Sequence, residues 1–200
     1  MLYVHDGNES IVRGQFHLVA NDTAAANTAT EAILVFLALP SQNVRIEEYT
    51  LGTPGSLGDE YVEFVAETLV PQIDGQFRTR AERTARGIAG ASLGGLISFW
   101  GVMQYPAVFG YGAGMSSSFF WGDEFLIDEI QRRGCQDVAY YLDSGSPNDN
   151  FDVTQVMRDV LDGMGCDYEY VLEQGGQHDW AFWRGRFGGV MEDFARTHGG

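Results

Sequence analysis

Arg86-Gly87-Ile88-Ala89-Gly90-Ala91-Ser92-Leu93-Gly94-Gly95 is the stretch on which the reading of this 200-residue chain turns. Residues 86–91 form a short run of strand type, and Leu93, Leu96, Ile97 and Trp100 follow at helical spacing. A strand that turns into a helix at a serine flanked by Gly90 and Gly94 is G-x-S-x-G in the context that gives the pattern meaning. The glycines are needed because the turn is tight and side chains there would strike the neighbouring strand and helix. The apex exposes the serine hydroxyl and sets the Leu93 N–H at a helix start, ready to donate to an oxyanion. A glycine-rich helix start with a capping serine would share these letters. The strand before and the helix after favour a nucleophile.

Outward from this turn, strand and helix signals alternate. Strands are expected at 2–5, 32–39, 86–91, 110–115, 138–143 and 168–173. Helices are expected over 59–73, from Ser92, and near 124–133, 153–163 and 180–197. In the first, Tyr61, Phe64, Val65 and Leu69 share a face. Residues 52–58 (GTPGSLG) and 144–150 (SGSPNDN) read as loops. The alternation predicts an α/β fold, three layers with about six mostly parallel strands, in one domain over 1–200.

A serine nucleophile needs a base and an orienting acid. Four histidines are available. His198 lies in a polar tail, and His17 reads as a surface residue in the early segment. His5 ends the first strand, where it would line the site. His178 follows a strand and the Gly175-Gly176 turn, at the sheet edge where Ser92 also lies. It also comes after both nucleophile and acid, the chain order expected of such a base. Asp143, Asp149 and Asp152 all follow the strand 138–142. Asp149, in a turn-rich loop, has the reach to accept from the imidazole. Asp143 is the reserve, and Asp152 reads as a helix N-cap. Phe119, Phe120, Trp121 and Trp180 lie beside these segments as candidate pocket residues, with helix packing the competing role for them and for Trp183.

Composition narrows the classes further. Twelve basic residues, all arginine, stand against 28 acidic ones for a net charge of −16, which disfavours nucleic acid and anionic membranes. The longest apolar run, residues 32–39, is too short to span a bilayer and reads as a strand buried on both faces. There is no signal-peptide pattern, so a cytoplasmic protein, or one whose export signal lies outside this chain, is expected. The two cysteines lack a metal-ligand pattern, and no metal or cofactor is called for. Cys135 lies eight residues before Asp143, and Cys166 six before Leu172. Adjacent parallel strands would bring the two cysteines together below the sheet, within reach of a bridge.

GIAGASLGG, then Tyr105-Pro106-Ala107-Val108-Phe109-Gly110, GSPND and GGQHDWAFW resemble, in order and spacing, the esterase D / enterochelin-esterase-like family. That family also takes in feruloyl esterase domains and the antigen 85 mycolyltransferases. The resemblance runs from about Glu47-Glu48-Tyr49-Thr50 to Phe187. It implies an α/β-hydrolase fold and a Ser92–His178–Asp149 triad without metal. Through the Asp6-Gly7-Asn8 loop it also implies an oxyanion hole made by the N–H groups of Leu93 and Asn8. Family members usually carry two further strands before the one ending in His-Asp-Gly. Without them strand 32–39 becomes a sheet edge, to be covered by a second copy of the chain or by the segment 14–30.

Three functions fit: hydrolysis of small soluble or aromatic acyl esters through an acyl-enzyme, acyl transfer by the same residues, or a non-catalytic binding module on the same fold.

Overall fold

A computed structural model describes residues 1–198. Six parallel strands form one sheet in the order β2-β1-β3-β4-β5-β6. They are β1 (Leu2–Val4), β2 (Leu34–Phe36), β3 (Gly87–Ala91), β4 (Tyr111–Met115), β5 (Ala139–Ser146) and β6 (Asp167–Gln174). β1, β3 and β4 are buried throughout, as parallel strands covered on both faces must be. Side chains alternate between two cores: Tyr3 and Ile88 join one, while Leu2, Val4, Ala89 and Ala91 join the other. Helices α6 (Leu93–Gln104), α7 (Trp121–Arg133) and α8 (Phe151–Met164) cover the first face; α2 (Phe16–Ala25) and α9 (Trp180–His198) cover the second. This is the three-layer α/β-hydrolase architecture.

The early segment finds its place through Phe16, whose ring stacks on Phe187 at 4.1 Å and docks α2 against α9. A short helix, α1 (Gly7–Val12), follows β1, and α3 (Gln42–Glu48) follows β2. Neither pairs with the outer side of β2, which ends the sheet. The strand expected over 32–39 is therefore reduced to three residues. It is half-buried: Val35 packs against the first core and Leu34 and Phe36 against the second, and β2 has a strand neighbour on one side only.

The helix expected over 59–73 is a rod of three parts: α4 (Gly58–Glu63), a π-helical stretch Phe64–Leu69, and α5 (Val70–Gln76). The wider π turn rotates the apolar stripe. Tyr61 and Val65 are buried as expected, but Phe64 is 53% exposed. Asp152 is not an N-cap; Asn150 holds that position, and Asp152 lies in the first turn of α8.

Cys135 and Cys166 form a disulfide with Cα atoms 5.4 Å apart. Ala139 pairs with Asp167 at the start of β5 and β6, so the bridge ties the two strands at the end opposite Ser92. No helix among the described residues is long and apolar enough to cross a membrane.

Candidate active site

Ser92 sits between β3 and α6 at φ 59° and ψ −123°, a conformation that costs a residue with a Cβ about 1–3 kcal/mol. The surrounding bonds hold it there. Its N–H donates to Met115 O at 2.9 Å, and its carbonyl accepts from the N–H groups of Gly95, Leu96 and Ser118, each at 3.1 Å. The glycines have the steric role expected of them. A Cβ on Gly90 would lie 2.5 Å from the Gly94 carbonyl carbon, and one on Gly94 would lie 3.2 Å from the Cβ of His5. At Gly90, strand and helix can cross this closely only without a side chain, and at Gly94 the neighbouring His5 would have to give way slightly.

His178 reaches the same spot from the loop after β6. That loop passes Gly145 of β5 at a distance only glycine permits: a Cβ on Gly145 would overlap the Gly176 backbone. The imidazole Nε2 lies 2.9 Å from Ser92 Oγ, and Nδ1 lies 2.8 Å from Asp149 Oδ1. Ser92 is half-buried, His178 is open to solvent, and Asp149 is fully buried. Serine, imidazole and carboxylate thus stand in series with the outermost group accessible. Such a series can move a proton from the hydroxyl to the ring while the carboxylate holds the ring's orientation.

Burial would push the Asp149 carboxyl up. The hydrogen bonds from His178, the Ser116 hydroxyl, Arg186 and the Gly145 N–H outweigh burial and hold it down, to about 2. Asp143 is also fully buried, but burial dominates there. Its carboxyl is pushed up to about 7, against the pull of Arg186, whose Nε is 3.4 Å away. Asp143 accepts from the Ser116 N–H, and the imidazole bonds Asp149 instead.

Sequence reading missed three groups here. Arg186 lies inside α9, two turns beyond His178, with 5% of its side chain exposed. Ser116 follows β4 in a left-handed conformation, φ 44°, beneath the carboxylate. Ser118 sets its Oγ 3.2 Å from Ser92 Oγ. The run Ser116-Ser117-Ser118 after a strand was a visible signal; an arginine in a helix that also carries Arg184 and Arg196 was not.

The expected pocket residues divide. Phe120 is 51% exposed and lies two residues from Ser118, whereas Trp121 is half-buried against the first core. Phe119, expected at the pocket, is fully buried and packs edge-on against Phe99. Trp180 packs against Phe16 and Trp183, with Arg13 over its ring, so it faces α2. Trp183 is buried, edge-on to His178.

His5, also expected at the pocket, is 1% exposed. Its Nδ1 lies 3.0 Å from the Tyr61 hydroxyl, and burial, with Arg45 beside it, pushes the ring down to about 3. It is a neutral core residue because α4 and the Tyr49 ring close over the end of β1. Beside it, Asp6 takes two hydrogen bonds from Arg45, at 2.6 and 2.9 Å, and the Gly7 N–H donates to Leu37 O. The following residue, Asn8, is exposed in the first turn of α1, where backbone N–H groups have no partner within the helix. Next to His178 a hollow of about 520 Å³ is bounded by Ser146, Pro147, Asn148 and residues 175–179.

Comparisons with known proteins agree with this architecture. The Esterase family model matches residues 1–194. The Bacillus subtilis protein YbbA, itself uncharacterised, is 30% identical over 130 residues, 60% of this chain and 50% of that protein. An endo-1,4-beta-xylanase/feruloyl esterase of Xylanibacter ruminicola is 25% identical over 92% of this chain but only 24% of its own length. The chain therefore spans half or less of these two relatives. Among solved structures, the Shigella flexneri enterobactin esterase FES, in the presence of enterobactin, superposes with a TM-score of 0.86 at 17% identity, covering 98% of this chain and 50% of that one. A ferulic acid esterase superposes at 0.76 with 19% identity, covering 98% and 84%. At these identities the structural matches establish the fold alone.

Proposed function

The chain belongs to the Esterase family, and on that footing we propose that it is a serine carboxylic-ester hydrolase acting through Ser92, His178 and Asp149. The observation that carries this reading is the continuous series Ser92 Oγ, His178 Nε2, His178 Nδ1, Asp149 Oδ1, with separations of 2.9 and 2.8 Å. Ser92 Oγ attacks the ester carbonyl carbon as Nε2 takes its proton, giving a tetrahedral oxyanion. The N–H groups of Leu93 and Asn8 donate to that oxyanion. Collapse expels the alcohol, which takes its proton from the imidazolium, and leaves an acyl-serine. A water molecule deprotonated by His178 then releases the acid.

The substrate class we favour is small soluble or aromatic acyl esters. Exposed Phe120, two residues from Ser118, supports an aromatic-tolerant site, and a relative named feruloyl esterase and a structural neighbour named ferulic acid esterase support the aromatic acyl class.

A panel of nitrophenyl esters of increasing acyl length, with a feruloyl ester beside them, tests the reading. Wild type should turn over the short or aromatic members. Ser92→Ala, with an unchanged circular dichroism spectrum, should turn over none and should resist labelling by a fluorophosphonate. Turnover by a folded Ser92→Ala protein would remove the serine mechanism.

A further inference from the structure

Beneath Asp149 the structure holds a closed set of donors. Ser116 Oγ lies 3.0 Å from Trp183 Nε1, 2.8 Å from Arg186 Nη2 and 2.7 Å from Asp149 Oδ2. Indole and guanidinium nitrogens only donate, so the single hydroxyl proton of Ser116 has one place to go, Asp149 Oδ2. The same oxygen takes the Gly145 N–H at 2.8 Å and a second Arg186 Nη2 proton at 2.9 Å. Three donors occupy Oδ2 and leave no room there for a proton. Oδ1 remains for His178 Nδ1. An acceptor on that side makes Nδ1 the protonated nitrogen and leaves the Nε2 lone pair facing Ser92.

Arg186 is also the cation against which the cluster's acids are balanced. Its Nε faces Asp143 Oδ1 at 3.4 Å and Glu173 Oε2 at 3.6 Å, and its Nη2 faces Asp149. Asp143 and Asp149 are both fully buried, and Tyr141, Ser116 and Trp183 complete the surroundings from β5, the bend after β4 and α9. Two buried carboxylates without this cation could not both stay ionised.

We propose that Arg186 is a positioning residue, which together with Ser116 locks Asp149 as an ionised acceptor and so selects the Nδ1–H form of His178. The kinetic consequence rests on the esterase reading; the tautomer does not. Without Arg186, Asp143 keeps its proton to still higher pH, and Asp149 keeps an unneutralised charge held by fewer donors. The imidazolium is then favoured and the ring is less firmly oriented.

The test compares wild type with Arg186→Met, Arg186→Lys and the double variant Arg186→Met/Asp143→Asn, in which the surplus buried acid is also removed so that folding is retained. On a short nitrophenyl ester, Arg186→Met and the double variant should lose about tenfold or more in kcat with KM within about twofold. The acid limb of kcat/KM should move up by about one pH unit, as removal of a nearby positive charge requires. Arg186→Lys should recover part of kcat, since it restores the charge but not both Nη2 bonds. Independently, ¹⁵N-histidine NMR of wild type above the ring's titration should show His178 protonated at Nδ1, with mixed tautomers in the double variant. Folded variants with unchanged kcat, pH profile and tautomer would reduce Arg186 to a packing residue. A wild-type ring protonated at Nε2 would overturn the proposal even if no ester is ever turned over. Failure of the esterase reading would show separately, as activity retained by Ser92→Ala.

Discussion

Removal of the Cys135–Cys166 bridge should lower stability strongly and leave ester turnover untouched. The two cysteines are 31 residues apart in sequence, and the segment between them contains β5, the Asp149 loop and α8. Cross-linking a loop of that length removes about 12 cal/mol/K of chain entropy from the unfolded state, about 3–4 kcal/mol at room temperature. For a domain of this size that is about 7–15 °C in Tm. The bridge sits before the first residues of β5 and β6, whereas Asp149 and His178 follow their last ones, and each strand has eight residues. At about 3.3 Å per residue the two ends are about 25 Å apart, too far for a local change to reach the imidazole. The assay is thermal and guanidinium unfolding of the Cys135→Ala/Cys166→Ala variant beside wild type, oxidised and reduced, with kcat measured well below either midpoint. A Tm drop below about 3 °C would show that the loop is already restrained in the unfolded chain. A loss of kcat in the folded variant would refute the separation of bridge and site along β5 and β6.

Three further outcomes are expected. Asp149→Asn should lower kcat by about 10³–10⁴, because the ring loses the acceptor that sets its tautomer, and Asp143→Asn should cost less; steady-state kinetics showing the reverse order would reassign the acid. Burial holds Asp143 protonated up to about pH 7 against an ordinary value of 3.8, so its contribution to stability is present at low pH and is lost as pH rises through 7. Urea midpoints at pH 5 and pH 8 should therefore differ less in Asp143→Asn than in wild type, and an equal difference would contradict this. Gly90→Ala should destabilise by about 2 kcal/mol or more, since its Cβ meets the Gly94 backbone with nothing flexible to yield; an unchanged unfolding midpoint would argue against so close a crossing of β3 and α6.

Features that depend on near neighbours or on order along the chain could be read from the residues alone. The strand-turn-helix around Ser92 was legible because period-2 and period-3.6 patterns meet at that residue, and the glycines mark close approach that any packing would require. Chain order singled out His178 and the turn-rich loop singled out Asp149, the two groups that line up with Ser92 by hydrogen bonds, and matching depth in successive parallel strands singled out the cysteines. Tertiary structure alone decided the rest, because burial and partner choice arise from segments distant in sequence. Arg186, Ser116 and Gly145 bind one carboxylate oxygen from α9, from the bend after β4 and from β5, and nothing local in any of the three announces that convergence. His5 became core because Tyr49 and Tyr61 close over it from other elements, and Phe119 because Phe99 stands opposite. Strand 32–39 read as doubly buried from its composition, yet an apolar run carries no record of whether a neighbour lies on its far side. The π turn at Phe64–Leu69 likewise shifts a face that regular helical spacing had assigned, since one widened turn is enough to put Phe64 outside.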